Sequence, residues 1–239
     1  MEETYFTKAI VLNRTPWRED GARVTVYSKE RGKLDLMARG ARKAGSKLAA
    51  HLEPITFSRL MVVRGKNYDY AGSTVSENSY FNIKNDLEKI FLAGGVLKIF
   101  NELVKGNERD EYIFFLLQET LKILNSEQMV SAKGGQLLYN FFILKLLVFL
   151  GHKPELYNCV VCHKRITPGD GNKFDLAKGG VACGKCSPAG LTISDDCIKV
   201  LRVVVENGLA NSIKLKINNK LEKEATNIIS SFLKYNFSV

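Results

Sequence analysis

Four cysteines set out as two pairs, Cys159-Val-Val-Cys162 and Cys183-Gly-Lys-Cys186, are the residues of this chain best suited to chemistry. Two thiols separated by two residues can turn both sulfurs toward one point. The intervening segment from residue 163 to residue 182 can bring the second pair to the same ion. Four soft donors at this spacing predict a tetrahedral zinc site held by Cys159, Cys162, Cys183 and Cys186. With every position filled by thiolate there is no place for water, so the expected role is structural and not hydrolytic. Cys159 to His163 also spells the C-x-x-C-H string of covalent haem attachment, but that chemistry leaves the second pair without a use. A redox dithiol is expected in a βαβ setting, which the flanking sequence lacks. The zinc deaminase pattern is unsupported as well: the H-x-E string His51-Leu-Glu53 is far from the cysteines and no proline precedes either pair. The fifth cysteine, Cys197, falls in the first turn of an amphipathic segment and reads as a small buried hydrophobe.

A second set of residues suits phosphate binding. Arg39-Gly-Ala-Arg42-Lys43-Ala-Gly-Ser-Lys47 holds four cations in nine residues with no acid among them, and Lys33 lies just upstream. Small residues let such a backbone approach phosphates, and long cations displace counterions, so binding is expected to depend on salt. The same composition also suits a solvated loop. Gly40 and Gly45 have the spacing of an ATP-binding loop, but Ser46 precedes Lys47 where that motif needs lysine first, and no long amphipathic helix follows. Trp17, Tyr27, Phe57, Tyr68 and Tyr70 accompany the cations and can either stack on bases or fill a core. His51, His152 and His163 have no matching nucleophile and acid. No catalytic constellation is visible, and the chain is not expected to be an enzyme.

The elements that must carry these residues follow from periodicity. Tyr5–Leu12, Ala22–Tyr27, Lys33–Ala38, Pro54–Val63 and Tyr68–Val75 are short runs rich in β-branched and aromatic residues, separated by glycine or polar turns. Five such strands suggest a small closed barrel, since closure removes exposed edges; an SH3-like barrel or a sandwich has a similar strand count. Beyond Ser76 the period changes to about 3.6. Asn85-Asp86-Leu87-Glu88 reads as a capping box opening a helix with Leu87, Ile90, Phe91, Leu97, Phe100 and Val104 on its buried face. Ile113, Leu116, Leu117, Leu121 and Leu124 mark a second helix. A third, Gln136 to Leu150, is apolar nearly all round and stops at Gly151. After the cysteine module, Ser194 caps a helix carrying Ile198, Leu201, Val204 and Val205. A last helix opens at Asn219 and buries Leu221, Ala225, Ile228, Phe232 and Tyr235.

The 239 residues, 45% of them hydrophobic, are enough for two domains with substantial cores. The boundaries expected are residues 1–80 for the barrel and 81–239 for a helical domain, with the metal module at about 152–192. The fold class is therefore multidomain α+β. Met1-Glu2-Glu3 opens acidic with no apolar stretch behind it, so no secretory signal is expected. Leu137–Leu150 is interrupted by Asn140 and Lys145 and is too short for a membrane span. Reduced thiols in a cytoplasmic protein agree with metal binding. The net charge of +10 is concentrated at the two ends: residues 1–80 carry 14 basic and 9 acidic side chains, and residues 197–239 carry 7 and 3. A polyanion is the first partner this suggests. The alternative is a zinc-stapled interaction adaptor whose basic ends meet an acidic protein.

An ordered set of short matches narrows the choice. Gly32, Ala38-Arg39-Gly40-Ala41-Arg42-Lys43, Phe149-Leu150-Gly151-His152-Lys153-Pro154-Glu155-Leu156, the first cysteine pair, Phe174, Gly179-Gly180-Val-Ala-Cys183 and Cys186 follow one another in this order. Over essentially its whole length the chain resembles RecO, the bacterial recombination mediator family. The resemblance implies an N-terminal OB-fold followed by an α-helical domain with an inserted four-cysteine zinc finger. It implies binding of single- and double-stranded DNA, annealing of complementary strands, and cooperation with RecR and the C-terminal tail of SSB so that RecA is loaded. It also implies a cytoplasmic, nucleoid-associated protein. Arg39, Arg42, Lys43, Lys47 and Lys33 would be the DNA contacts. Arg18-Glu19-Asp20 departs from the family's usual turn after the first strand, where a glycine is common.

Overall fold

A computed structural model describes residues 3–106, 109–126, 132–186 and 189–237 of the chain. The chain divides into two compact units, residues 1–130 and 131–239.

The first unit opens with β1 (Thr4–Trp17), β2 (Gly21–Ser28), β3 (Gly32–Ala38), β4 (Thr56–Val63) and β5 (Asp69–Asn78). They close into a barrel in the order β1-β2-β3-β5-β4. All neighbours are antiparallel except β3 and β5, which run parallel from Leu36↔Asp69. A five-strand barrel of this order is OB-like. Strand β1 serves both neighbours: its first part pairs with β4, its second with β2, and a bulge between Val11 and Asn13 turns it from one to the other. Period-two alternation decides the inside. Thr56, Ser58, Leu60 and Val62 of β4 are buried while Arg59 is exposed. The interior is filled by small residues, among them Ala9, Val11, Ala22, Val24, Ala38, Val62 and Ala71, which suit a narrow barrel.

Three helices complete this unit: α1 (Phe81–Lys84), α2 (Leu87–Leu103) and α3 (Glu111–Asn125). They cover one flank of the barrel. Tyr27, whose side chain points away from the lumen, is fully buried edge-on against Phe100 of α2 at 4.9 Å and stacked over Phe114 of α3 at 6.5 Å. The α3 positions expected to be buried, Ile113, Leu116, Leu117, Leu121 and Leu124, are buried.

Helix α2 differs from expectation in two ways. Its cap is Asp86, whose carboxylate accepts from the N–H groups of Glu88 at 3.0 Å and Lys89 at 3.1 Å, and not a capping box built on Asn85. Its buried stripe is Ala93, Val96, Leu97, Ile99, Phe100 and Leu103, while Leu87 and Phe91 are 85% and 82% exposed. At 3.6 residues per turn these two project roughly opposite the centre of that stripe.

The second unit is built on α4 (Ala132–Phe149), α5 (Asp195–Glu206), α6 (Leu209–Ser212) and α7 (Asn219–Phe237). Helix α4 is the central one, with Leu138, Phe141, Phe142, Leu146 and Leu147 all buried. Its two polar breaks are satisfied. Asn140 donates to Thr226 of α7 at 2.7 Å, and the Lys145 ammonium donates to the Val205 carbonyl near the end of α5 at 3.2 Å. Ser194 caps α5 by accepting from the Cys197 N–H at 3.2 Å. On α7, Ala225, Ile228 and Phe232 are buried; Tyr235, placed inside by the sequence reading, is 56% exposed.

Between α4 and α5 lies the cysteine module, with β6 (Lys173–Asp175), β7 (Gly180–Ala182) and β8 (Leu191–Thr192) in the order β7-β6-β8. It is fastened to the helices by Phe174 of β6 against Phe232 at 5.4 Å, and by the Arg202 guanidinium donating to the Leu156 carbonyl at 2.5 and 3.0 Å.

Candidate metal centre and nucleic-acid surface

Backbone geometry around Cys159 makes the first half of the metal site. Its N–H donates to the Lys164 carbonyl at 2.8 Å, and its own carbonyl accepts from the His163 N–H at 2.9 Å. His163 closes this tight turn with a left-handed φ of 61°. The N–H of Val160 donates to Val181 of β7 at 3.0 Å, and β7 runs directly into Cys183, so the sheet delivers the second pair to the first. Gly180 permits the approach: a Cβ there would lie 2.4 Å from the Glu155 carbonyl oxygen.

The sulfurs of Cys159, Cys162, Cys183 and Cys186 all lie within 4.8 Å of one another. Cys162 and Cys183 are 4.0 Å apart, far beyond a disulfide bond of about 2.05 Å. A tetrahedral zinc with thiolate bonds near 2.3 Å would separate its sulfurs by about 3.8 Å. The local chemistry suits a cation. Burial acts to raise the Cys159 thiol, but N–H groups of Cys162, Cys183 and Val161 outweigh it and hold the pKa at about 6. The Cys186 thiol is pushed up to about 12, chiefly by hydrogen bonding to Cys183 and Cys162. Thiolates packed this closely oppose one another's ionisation, and a bound metal ion removes the conflict. Lys164, Arg165 and Lys185 line the same recess and would offset the negative charge of four thiolates around a divalent ion. The cluster can hold a metal ion. Cys197 stands apart, buried in α5, with burial raising its thiol to about 12.

The basic segment 39–47 connects the end of β3 to the barrel's second half. Arg39, Arg42, Lys43 and Lys47 are all exposed. Arg39 lies with its guanidinium carbon 4.2 Å from the centroid of the Tyr70 ring. The Arg42 N–H donates to the Asp20 carbonyl at 2.9 Å, and the Lys43 ammonium is 3.4 Å from the Asp20 carboxylate, so the segment folds beside the β1–β2 turn. Lys47 has no ion pair among the described residues. Lys33 is not part of this group. Its half-buried ammonium donates to the carbonyls of Asn101 and Val104 at the end of α2.

The aromatics separate in the same manner. Trp17, at the end of β1, meets Tyr68, from the β4–β5 turn, edge-on at 6.3 Å, and Tyr68 is 48% exposed. Gly21 makes room for the indole, since a Cβ there would lie 2.8 Å from the ring. Arg18 places its guanidinium carbon 4.4 Å from the centroid of the Trp17 ring. Tyr27 is buried under the helices, and Phe57 packs against Phe114 at 6.2 Å, so neither is available for stacking. Trp17, Tyr68 and Tyr70 thus gather with Arg18 and Arg39 where the β1–β2 and β4–β5 turns flank the barrel. These turns, with the β2–β3 face, are where OB-folds hold oligonucleotides.

Two residues that the sequence reading left out belong to this surface. Arg18 is one, recognisable only as a cation following the sole tryptophan. The other is Arg14, which donates to the carbonyls of Ala41 at 2.8 Å and Ala49 at 3.0 Å and pairs with Glu53. A largely buried guanidinium so placed holds both ends of the basic segment.

Comparison with known proteins identifies the family of the chain. Residues 1–77 match the family model for the N-terminal part of recombination protein O, and residues 84–238 match that for its C-terminal part. A protein of Dehalococcoides mccartyi strain 195 named DNA repair protein RecO is 30% identical over 220 residues, covering 91% of this chain and 85% of the relative. A protein of the same name from Desulforamulus reducens is 28% identical over 234 residues, covering 97% and 89%. One from Thermoanaerobacter sp. strain X514 is 26% identical over 237 residues, covering 98% and 92%. Among the described residues no helix is long and apolar enough to cross a membrane. With both halves of the chain matched in order, this protein belongs to the RecO family of DNA repair and recombination proteins.

Proposed function

We propose that the protein is a recombination mediator that binds single- and double-stranded DNA through its barrel and acts without making or breaking covalent bonds. The observation that carries this reading is the grouping of Trp17, Tyr68 and Tyr70 with the guanidiniums of Arg18 and Arg39, next to the exposed cations Arg42, Lys43 and Lys47. Aromatic faces hold unpaired bases irrespective of sequence, and flanking cations hold phosphates. Charge placed between two strands lowers their repulsion, which is what annealing of complementary strands requires. Lys33 is left out of the proposed contacts because its charge is committed to α2.

In the second unit the four cysteines would hold one zinc ion. With all four positions taken, the ion supplies folding energy and no open site for a reaction. The cysteines, Phe174 and Arg202 then fix the module to α5 and α7.

Protein partners are part of the same proposal. A tail of SSB offers acidic and apolar side chains. In the segment after α6, half-buried Leu215 and Ile217 alternate with exposed Lys214 and Lys216, which complements such a tail. The exposed Leu87 and Phe91 of α2 are available to a second partner such as RecR, through which RecA would be loaded. The setting would be the bacterial nucleoid.

The test is the salt dependence of binding to a single-stranded oligonucleotide, measured for the parent and for a variant with Arg39, Arg42, Lys43 and Lys47 changed to glutamine. Removing four phosphate contacts should flatten the log–log slope by roughly 3 and weaken binding. An unchanged slope overturns the assignment of this surface.

A further inference from the structure

At the Gly32 end of β3, opposite the end that leads into the basic segment, three guanidinium groups from three separate connections share one recess with a tyrosine. Tyr5 opens β1, Arg31 lies in the β2–β3 turn, Arg64 follows β4, and Arg109 lies between α2 and α3. Together with Glu30 and Asp69 they line a recess of about 450 Å³, within the usual range for small-ligand pockets. The guanidinium carbons of Arg31 and Arg64 lie 3.9 and 5.9 Å from the centroid of the Tyr5 ring.

The recess carries three guanidiniums against two lining carboxylates, Glu30 and Asp69. Glu30 is engaged by the Thr7 hydroxyl and by the Lys8 N–H at 3.2 Å. Glu3, beside the recess, takes Arg64 at 3.0 Å. Arg31 and Arg109 have no ion pair among the described residues. Arg31 and Arg109 are thus held in no such ion pair, beside Glu30 and the half-buried Asp69, inside a concave wall that concentrates their field. Burial, then Asp69, pushes the Tyr5 phenol above its ordinary pKa, so it remains a hydrogen-bond donor.

A group that satisfies the two forks of Arg31 and Arg109 and a phenol must present several anionic oxygens, as a phosphate monoester does. A phosphodiester carries one charge and has chain on both sides, which suits a groove and not a recess. Asp69 accepts hydrogen bonds and cannot donate when ionised, so a ligand that brings an N–H or O–H beside its phosphate suits the recess. A nucleotide base supplies one, and its ring can lie on a guanidinium plane.

We infer that this recess binds a nucleotide through its phosphate monoester, with Arg31 and Arg109 on the phosphate and Asp69 accepting from a base N–H. The ligand has two sources: the 5′-phosphorylated end of a DNA strand, or a free mononucleotide. The strand-end source rests on the DNA-binding reading above; the free-nucleotide source does not.

The experiment uses the full chain and an Arg31→Gln/Arg109→Gln variant, with thermal melting to verify that the variant folds. If it does not, the exposed Arg109→Gln alone carries the same test. Binding is measured for oligothymidylates of one length with a 5′-phosphate or a 5′-hydroxyl, and by calorimetry for thymidine 5′-monophosphate and thymidine. The expected result is about tenfold tighter binding of the phosphorylated strand, lost in the variant. If both strands bind equally but the mononucleotide binds the parent and not the variant, the source is the free nucleotide. No preference for either phosphorylated ligand, or a preference that survives in the variant, overturns the assignment. Loss of all oligonucleotide binding would instead count against the DNA-binding reading, with the mononucleotide still reporting on the recess.

Discussion

The Lys33 ammonium donates to the carbonyl oxygen of Asn101 at 2.7 Å, joining β3 to the end of α2 across 68 residues of sequence. A second bond reaches the Val104 carbonyl at 3.2 Å. A cation at a helix C-terminus stabilises the exposed carbonyls there. Burial, followed by the nearby charge of Lys105, lowers the lysine's pKa, which is the signature of an ammonium drawn away from water. Lys33→Met keeps the stem and removes the bonds, and should cost about 1–2 kcal/mol in denaturant unfolding. The salt slope of oligonucleotide binding should not change. A slope flattened by about 0.7, the share of one phosphate contact, would place Lys33 on the DNA instead.

Trp17 is the only tryptophan in the chain, so its fluorescence reports on one place. Its ring meets Tyr68 edge-on and lies under Arg18, with Gly21 leaving space beside it. A base that stacks here should quench the emission on addition of single-stranded oligonucleotide. Trp17→Ala should weaken single-strand binding by about 1–3 kcal/mol. Duplex binding, in which the bases are already stacked, should change less. Emission that stays constant through a saturating titration would remove Trp17 from the contact surface.

The contrast between these two residues illustrates what was legible before the structure. The four cysteines were readable because ligand spacing is local: two residues between sulfurs suffice to form each half of the site. The barrel strands were readable because Leu34 and Leu36 alternate with Lys33 and Asp35, a period of two that needs no knowledge of the partner strand. Tyr27 was ambiguous because both of its faces are apolar surroundings, the barrel on one side and α2 with α3 on the other. Alternation within β2 does not say which cover lies where. Lys33 was misleading for a similar reason, since the carbonyls it caps are remote in sequence. In α2 the hydrophobic pattern named Leu87 and Phe91 along with Phe100, but burial follows the face presented to the barrel. At 3.6 residues per turn Leu87 and Phe91 lie roughly opposite Phe100, so those apolar positions do not share one face, and grouping them together overlooked the helical period.

The metal cluster and Cys197 should separate by thiol chemistry. In the metal-loaded protein all four ligand thiolates are bound, and burial, which pushes the Cys197 thiol to about 12, keeps it unreactive. Treatment with a strong chelator should expose four thiols to iodoacetamide, identified by mass spectrometry as Cys159, Cys162, Cys183 and Cys186, with Cys197 labelled only after unfolding. Metal analysis before chelation should give about one zinc per chain. Cys162→Ser should release the metal and lower the melting temperature of the second unit. A variant that melts like the parent would show that the cluster contributes nothing to folding.

Arg14 offers a test of order without a change of charge. Its guanidinium reaches the carbonyls of Ala41 and Ala49 and the carboxylate of Glu53 at once, holding the basic segment near both of its ends. A lysine has the charge but not the planar fork, and cannot make all three contacts. Arg14→Lys should therefore leave the salt slope of DNA binding intact, because Arg39, Arg42, Lys43 and Lys47 remain. The affinity should still fall by about threefold to tenfold, since the loosened segment must be ordered at the moment of binding. Limited trypsin digestion should cut after Arg42 and Lys43 faster than in the parent, and bound oligonucleotide should slow the cutting. If affinity falls together with the slope, Arg14 contacts phosphate directly. If neither affinity nor cleavage changes, the segment keeps its shape without the clasp, and the cations alone account for binding.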